Sequence, residues 1–302
     1  MERATESAEP VQLDPADGPP APRERPRWSL RLRIASGLLF VPLLILLARA
    51  GGVAFLAFVM LQVFLGLTEF YRMMRAKDLK PQSAVGVVTA LLLLVGAYRP
   101  DRMPVDLVVT CAILVVLGFA LGHPHKNSAE SLAATGFGVL YVGWLSAHLV
   151  LLRELPWRAG TDYASGAAFV LLAFLLTWSC DTGAYAFGRA FGRTPLWRQV
   201  SPRKTVEGSI GGFACALAAA WIAHFTFARF LRPLDACLLG VLVGVFAQVG
   251  DLVESLLKRD ARHADSSDLI PGHGGVLDRF DSLYFGAPIV FYYLKYVVFQ
   301  VP

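Results

Sequence analysis

Nine long apolar runs decide most of what this chain can fold into. They are Ile34–Leu47, Val53–Phe70, Ala84–Tyr98, Val105–Leu121, Leu132–Leu152, Ala167–Phe187, Ile210–Phe230, Ala236–Leu257 and Leu283–Phe299. A helix needs about 20 residues to cross the hydrocarbon core of a bilayer. The backbone must satisfy its own hydrogen bonds there, so apolar runs of this length predict helices. Composition agrees, since 55% of the 302 residues are hydrophobic and only 17% are charged, against about 25% charged in a soluble domain. The expected fold is all-α, a polytopic integral membrane protein with about nine transmembrane helices. Only Ala48 to Gly52 separate the first two runs, which reads as a tight helical hairpin.

Basic residues set the expected orientation. With the N-terminus in the cytoplasm and alternating crossings, nineteen of the Lys and Arg from Arg23 onward fall on the cytoplasmic side and seven on the other, with Lys295 near the end of the last run. The net charge of +5 is thereby explained by topology and anionic membrane lipids, and no nucleic-acid partner is expected. Residues 1–28 are rich in Pro, Ala, Glu and Asp and read as a disordered tail. Residues 29–160 read as N-terminal transmembrane helices and 161–302 as a C-terminal catalytic region. No cleaved leader is expected. The expected location is the inner (plasma) membrane of a bacterium. Cys111, Cys180, Cys215 and Cys237 form no CxxC pair and read as small buried apolar residues.

The first five runs are mostly generic. Glu69, near the end of the second, reads as an interfacial acid close to Arg72 and Arg75. His148 and His224 read as helix-packing histidines. The second half carries three polar stretches, all assigned to the cytoplasmic side. The first, "DTGAYAFGRAFGR", puts Asp181 directly after an apolar run, where a buried acid marks a site. Its Gly183, Gly188 and Gly192 suit helix packing equally well.

The second stretch, "SPRKTVEGSIGG", offers Ser201, Arg203, Lys204, Thr205 and Glu207 just before a run. Hydroxyls, cations and free N–H groups at a helix start suit phosphate, although a basic loop with an ordinary helix cap has the same residues. In the third, Asp251, Glu254 and Lys258 are spaced by three and four residues, so they share one helix face. Asp278 and Asp281 are one turn apart if a helix begins at "GVLDRFDSLYF". Gly272, Gly274 and Gly275 allow a sharp turn before it. Carboxylates from two helices could seat Mg²⁺, which leaves positions open for substrate phosphates. Together these features predict a membrane enzyme that handles phosphates with a divalent metal and at least one lipid substrate.

The stretch "SLLKRDARHADSSDLIPGHGGVLDRFD", Ser255 to Asp281, resembles the signature of the phosphatidate cytidylyltransferase (CDP-diacylglycerol synthase) family. The two upstream stretches and "QVGD" resemble that family's earlier motifs in the same order. One departure is Ala264 before Asp265, where the family has Lys; Arg262 is the nearest cation. The resemblance implies that CTP and phosphatidate react to give CDP-diacylglycerol and pyrophosphate, in phospholipid biosynthesis. It implies Mg²⁺ on Asp251 and Asp278, and leaves a second cation open. Ser201, Lys204, Thr205, Lys258, Arg259 and Arg279 are assigned to phosphates, and Asp181 to the substrate site. Asp281 and Glu207 are assigned to orienting ligands and basic residues. His273 is left open between touching substrate and fixing the glycine turn. A homodimer is implied as well. Two rival readings are a CTP-dependent polyprenol kinase and a non-catalytic transporter with Asp181 and Asp251 along an ion path.

Overall fold

The computed structural model describes residues 30–124, 126–261 and 275–301, so the N-terminal tail lies outside the described residues. Every apolar run is helical over most of its length. The helices are α1 (Leu30–Ala50), α2 (Gly52–Arg75), α3 (Ser83–Tyr98), α4 (Val105–Gly122), α5 (Ser128–Gly138), α6 (Leu145–Ala159), α7 (Ser165–Phe191), α8 (Val206–Phe225), α9 (Pro233–Asp260) and α10 (Leu277–Tyr293). A π-helical turn, Val139–Trp144, joins α5 to α6 without a break, and another, Leu294–Val298, extends α10. Six helices among the described residues are long and apolar enough to cross a membrane: α2, α4, the continuous α5–α6, α7, α8 and α9. Leu39–Ala50 of α1 and Ser83–Tyr98 are shorter apolar segments. On α4, apolar side chains such as Leu114, Phe119 and Leu121 are exposed. Such a helix has no place in water and suits contact with lipid.

The hairpin between α1 and α2 is as tight as its spacing predicts. Gly51 and Gly52 take φ values of 61° and 53°, which glycine adopts without strain. A Cβ on Gly51 would also lie 2.2 Å from Arg153 Nη2. Arg153 is buried, and its Nε donates to Ala48 O at 2.6 Å. Its Nη1 donates to Tyr163 O at 3.1 Å, and its guanidinium lies 4.2 Å from the Tyr163 ring centre. A cation thus closes the C-terminal end of α1, where unpaired carbonyls attract it.

The C-terminal half brings the polar stretches together. Gly208 and Gly212 of α8 sit one turn apart against α7. A Cβ on either would come within 2.7 Å of the α7 carbonyls of Ala184 and Cys180 respectively. Small residues at this spacing let two backbones approach closely. Helices α9 and α10 run antiparallel and are joined at both ends. Tyr293 donates to Asp235 at 2.9 Å at one end, and Lys258 donates to Asp278 at 2.7 Å at the other. The four cysteines form no disulfide, but only Cys180 is buried as expected; Cys215 and Cys237 are half-buried, and Cys111 is exposed on the apolar surface of α4.

The "SPRKT" stretch, which leads into a helix start, is itself a strand. β2 (Ser201–Thr205) pairs antiparallel with β1 (Pro195–Trp197). Helix α8 ends at Phe225, short of the predicted Phe230, where Thr226 leaves helical geometry with φ −106° and ψ −84°.

Candidate active site

Two features share an edge. The first is an acidic cluster. Asp251 and Glu254 from α9 and Asp281 from α10 each present an oxygen, and these oxygens lie within 4.8 Å of one another. Glu254 and Asp281 are buried, with 1% and 8% of their surface exposed. The apolar flanks of α9 hold Asp251 inside the helix rather than at its end, and the i, i+3 spacing stacks Glu254 beside it. Glu254 Oε1 is buried without a hydrogen-bond partner among the described residues. An unpaired buried oxygen is costly. Three hard oxygen donors from two helices, one of them lacking a partner, fit a divalent cation.

The second feature is a cavity of about 450 Å³ between α7, the β-hairpin and the start of α8. Asp181, Tyr185, Ser201, Arg203, Lys204 and Asp251 are among the residues that line it. Lys204 Nζ lies 2.7 Å from Asp251 Oδ1 and 3.3 Å from Ser255 Oγ. Cavity and acidic cluster therefore meet at Asp251.

The other expected site residues find varied positions. Asp281 faces Asp251, whereas Asp278 lies outside the acidic cluster. Asp278 Oδ1 accepts from Lys258 Nζ at 2.7 Å, and its Oδ2 accepts the Gly275 N–H at 2.8 Å. Lys258 also reaches Glu254 Oε2 at 2.8 Å, so it bridges two acids and keeps one N–H to spare. Of the two acids on α10, Asp281 groups with Asp251, while Asp278 pairs with Lys258.

Arg259 Nε donates to Val200 O, anchoring the hairpin tip to α9. Glu207 accepts from the N–H groups of Arg193 and Thr194 at 3.1 and 3.2 Å, which fixes the entry to β1. Thr205 lines the cavity but also caps α8, accepting the Gly208 N–H at 3.1 Å. The helix-cap reading thus holds for Thr205, while Ser201, Arg203 and Lys204 line the cavity. Asp181 accepts from Ser282 Oγ at 2.9 Å, which ties α7 to α10. Arg279 is exposed on the first turn of α10. His273, Arg262 and Ala264 lie outside the described residues.

Ser282, Gln248 and Tyr185 lie within the quoted stretches but have no role that spacing assigns; their place at the site comes from the fold. Glu254 was visible only as a third residue on the Asp251 face.

Comparison with known proteins identifies the family. The chain is 34% identical over 286 residues to the phosphatidate cytidylyltransferase of Synechocystis sp., covering 87% of this chain and 95% of the relative. It is 30% identical over 272 residues to the Bacillus subtilis protein of the same name, covering 88% and 97%. The Staphylococcus saprophyticus protein of that name is 33% identical over 264 residues, covering 84% and 93%. Residues 31–297 match the cytidylyltransferase family profile, and with these relatives that match establishes that the chain belongs to the cytidylyltransferase family.

Proposed function

We propose that the protein is a phosphatidate cytidylyltransferase of a bacterial plasma membrane, joining CTP and phosphatidate into CDP-diacylglycerol with release of pyrophosphate. The observation that carries this reading is the contact of Lys204 with Asp251, which makes the cation-lined cavity and the acidic cluster one continuous site. Nine membrane crossings with a cytoplasmic N-terminus put that site on the side where CTP is found, and a homodimer belongs to the same reading. The relatives' names support cytidylyl transfer. Neither the kinase nor the transporter has such support.

In this reading Ser201, Arg203 and Lys204 hold and neutralise the triphosphate, and Asp181 and Thr205 shape the wall behind it. A phosphatidate oxygen attacks the α-phosphorus in line, and the bond to the β-phosphate oxygen breaks. The attacking phosphate is already anionic, so no base is needed to activate it. Such transfers depend on positioning and charge neutralisation more than on covalent chemistry. The residues fit Mg²⁺ on Asp251 and Asp281, with Glu254 beside them, while Asp278 acts through Lys258. When bound, the ion supplies the charge screening that lets two anionic phosphates approach. Lys258 turns its remaining N–H toward phosphate. Arg259 and Glu207 hold the hairpin that forms one wall.

The test is product identification by mass spectrometry after incubating purified protein with CTP, phosphatidate and Mg²⁺. CDP-diacylglycerol and pyrophosphate support the proposal. CDP with a newly phosphorylated lipid would establish the kinase instead.

A further inference from the structure

Helix α10 begins without a cap of its own. Its N-cap residue is Val276, which has no side-chain acceptor for the free N–H groups of the first turn. The acceptors come from the other half of the chain. Glu69 of α2 is buried, with 2% exposed. Its Oε1 accepts the Val276 N–H at 3.1 Å and its Oε2 accepts the Leu277 N–H at 2.8 Å. An acid at this end of a helix also meets the positive pole of the helix dipole.

A second contact fixes the register. Gln62 Nε2 donates to Tyr284 OH at 2.9 Å. Gln62 lies seven residues before Glu69 on α2, and Tyr284 lies seven residues after Leu277 on α10. Seven residues are about two helical turns, so each pair occupies one face of its helix. The two contacts therefore hold antiparallel helices at matching points. Between them Gly66 leaves space that a Cβ would close to 3.2 Å from Tyr284 OH. Leu277, whose N–H Glu69 holds, lies about one turn before Asp281, the acid that faces Asp251.

We propose that Glu69 is a positioning residue for the reaction: it sets where the first turn of α10, and with it Asp281, stands relative to Asp251. This rests on the assignment of Asp251 and Asp281 to the reacting site. Without Glu69, the first turn of α10 frays and the two acids lose their fixed separation. Binding of CTP in the hairpin cavity is left nearly intact, because Glu69 is not among the residues lining it.

The test compares full-length wild type with Glu69→Ala and Glu69→Gln in detergent. Hydrogen–deuterium exchange of amides 276–281 reports the cap directly. We expect it to quicken about tenfold in Glu69→Ala, on the scale of a lost helix cap, with amides 286–293 within about twofold of wild type. In the same protein kcat falls about tenfold or more while KM for CTP stays within about twofold. Glu69→Gln, which keeps one acceptor, lies between the two, and it carries the test if Glu69→Ala does not fold. Unchanged exchange at 276–281, or a raised KM with unchanged kcat, overturns the proposal. If wild type makes no CDP-diacylglycerol, the proposed function fails, and the exchange data still decide whether Glu69 caps α10.

Discussion

Removing Lys258 should destabilise the protein more than any substitution of a surface lysine. Its Nζ stands 2.8 Å from Glu254 and 2.7 Å from Asp278, with side-chain exposures of 15%, 1% and 11%. At these separations each attraction amounts to about 6 kcal/mol at an effective dielectric constant of about 20. Desolvation of all three groups offsets much of it. The asymmetry decides the sign: Lys258→Met leaves two buried acids facing each other with no cation between them. Breaking a buried pair this way costs about 3–5 kcal/mol. At about 2–4 °C per kcal/mol for a large domain, the thermal midpoint should fall by roughly 6–20 °C. Thermal unfolding of detergent-solubilised protein measures it. The triple variant Lys258→Met, Glu254→Gln, Asp278→Asn should recover more than half of the loss, because the stranded acids are gone. A Lys258→Met protein that unfolds at the wild-type temperature refutes the argument.

Asp251→Asn and Asp281→Asn should each lower CDP-diacylglycerol formation about a hundredfold or more while the protein still inserts, as expected when a metal-holding charge is lost; a radiolabelled-CTP assay across a Mg²⁺ titration checks this. Arg259→Met releases the hairpin tip from α9 and should raise KM for CTP several-fold with little change in kcat, read from steady-state kinetics. Gly51→Ala forces a Cβ onto a positive φ and into Arg153. It should cost more than about 1 kcal/mol, seen as a lower thermal midpoint.

The helices were legible because a bilayer leaves the backbone few alternatives, and each apolar run from Ile34 to Phe299 is helical over most of its length. The grouping of Asp251, Glu254 and Lys258 was legible from spacing alone, since three- and four-residue steps stay on one helix face. Partners across helices were not. Asp278 and Asp281 are both near one face of α10, and only the packing of α10 on α9 decides that Asp281 meets Asp251 while Asp278 takes Lys258. Glu69 shows the same limit. In sequence its neighbours are Arg72 and Arg75, yet its partners are N–H groups 207 and 208 residues away. Strand β2 was hidden because Ser-Pro-Arg-Lys-Thr has no apolar alternation to announce it.

The most direct test follows the phosphorus. Purified protein receives phosphatidate, Mg²⁺ and CTP labelled in parallel reactions at the α- or the γ-phosphate. Cytidylyl transfer predicts that α-label enters the lipid as CDP-diacylglycerol and that γ-label leaves as pyrophosphate. Transfer of γ-label to lipid, with α-label remaining in CDP, contradicts it.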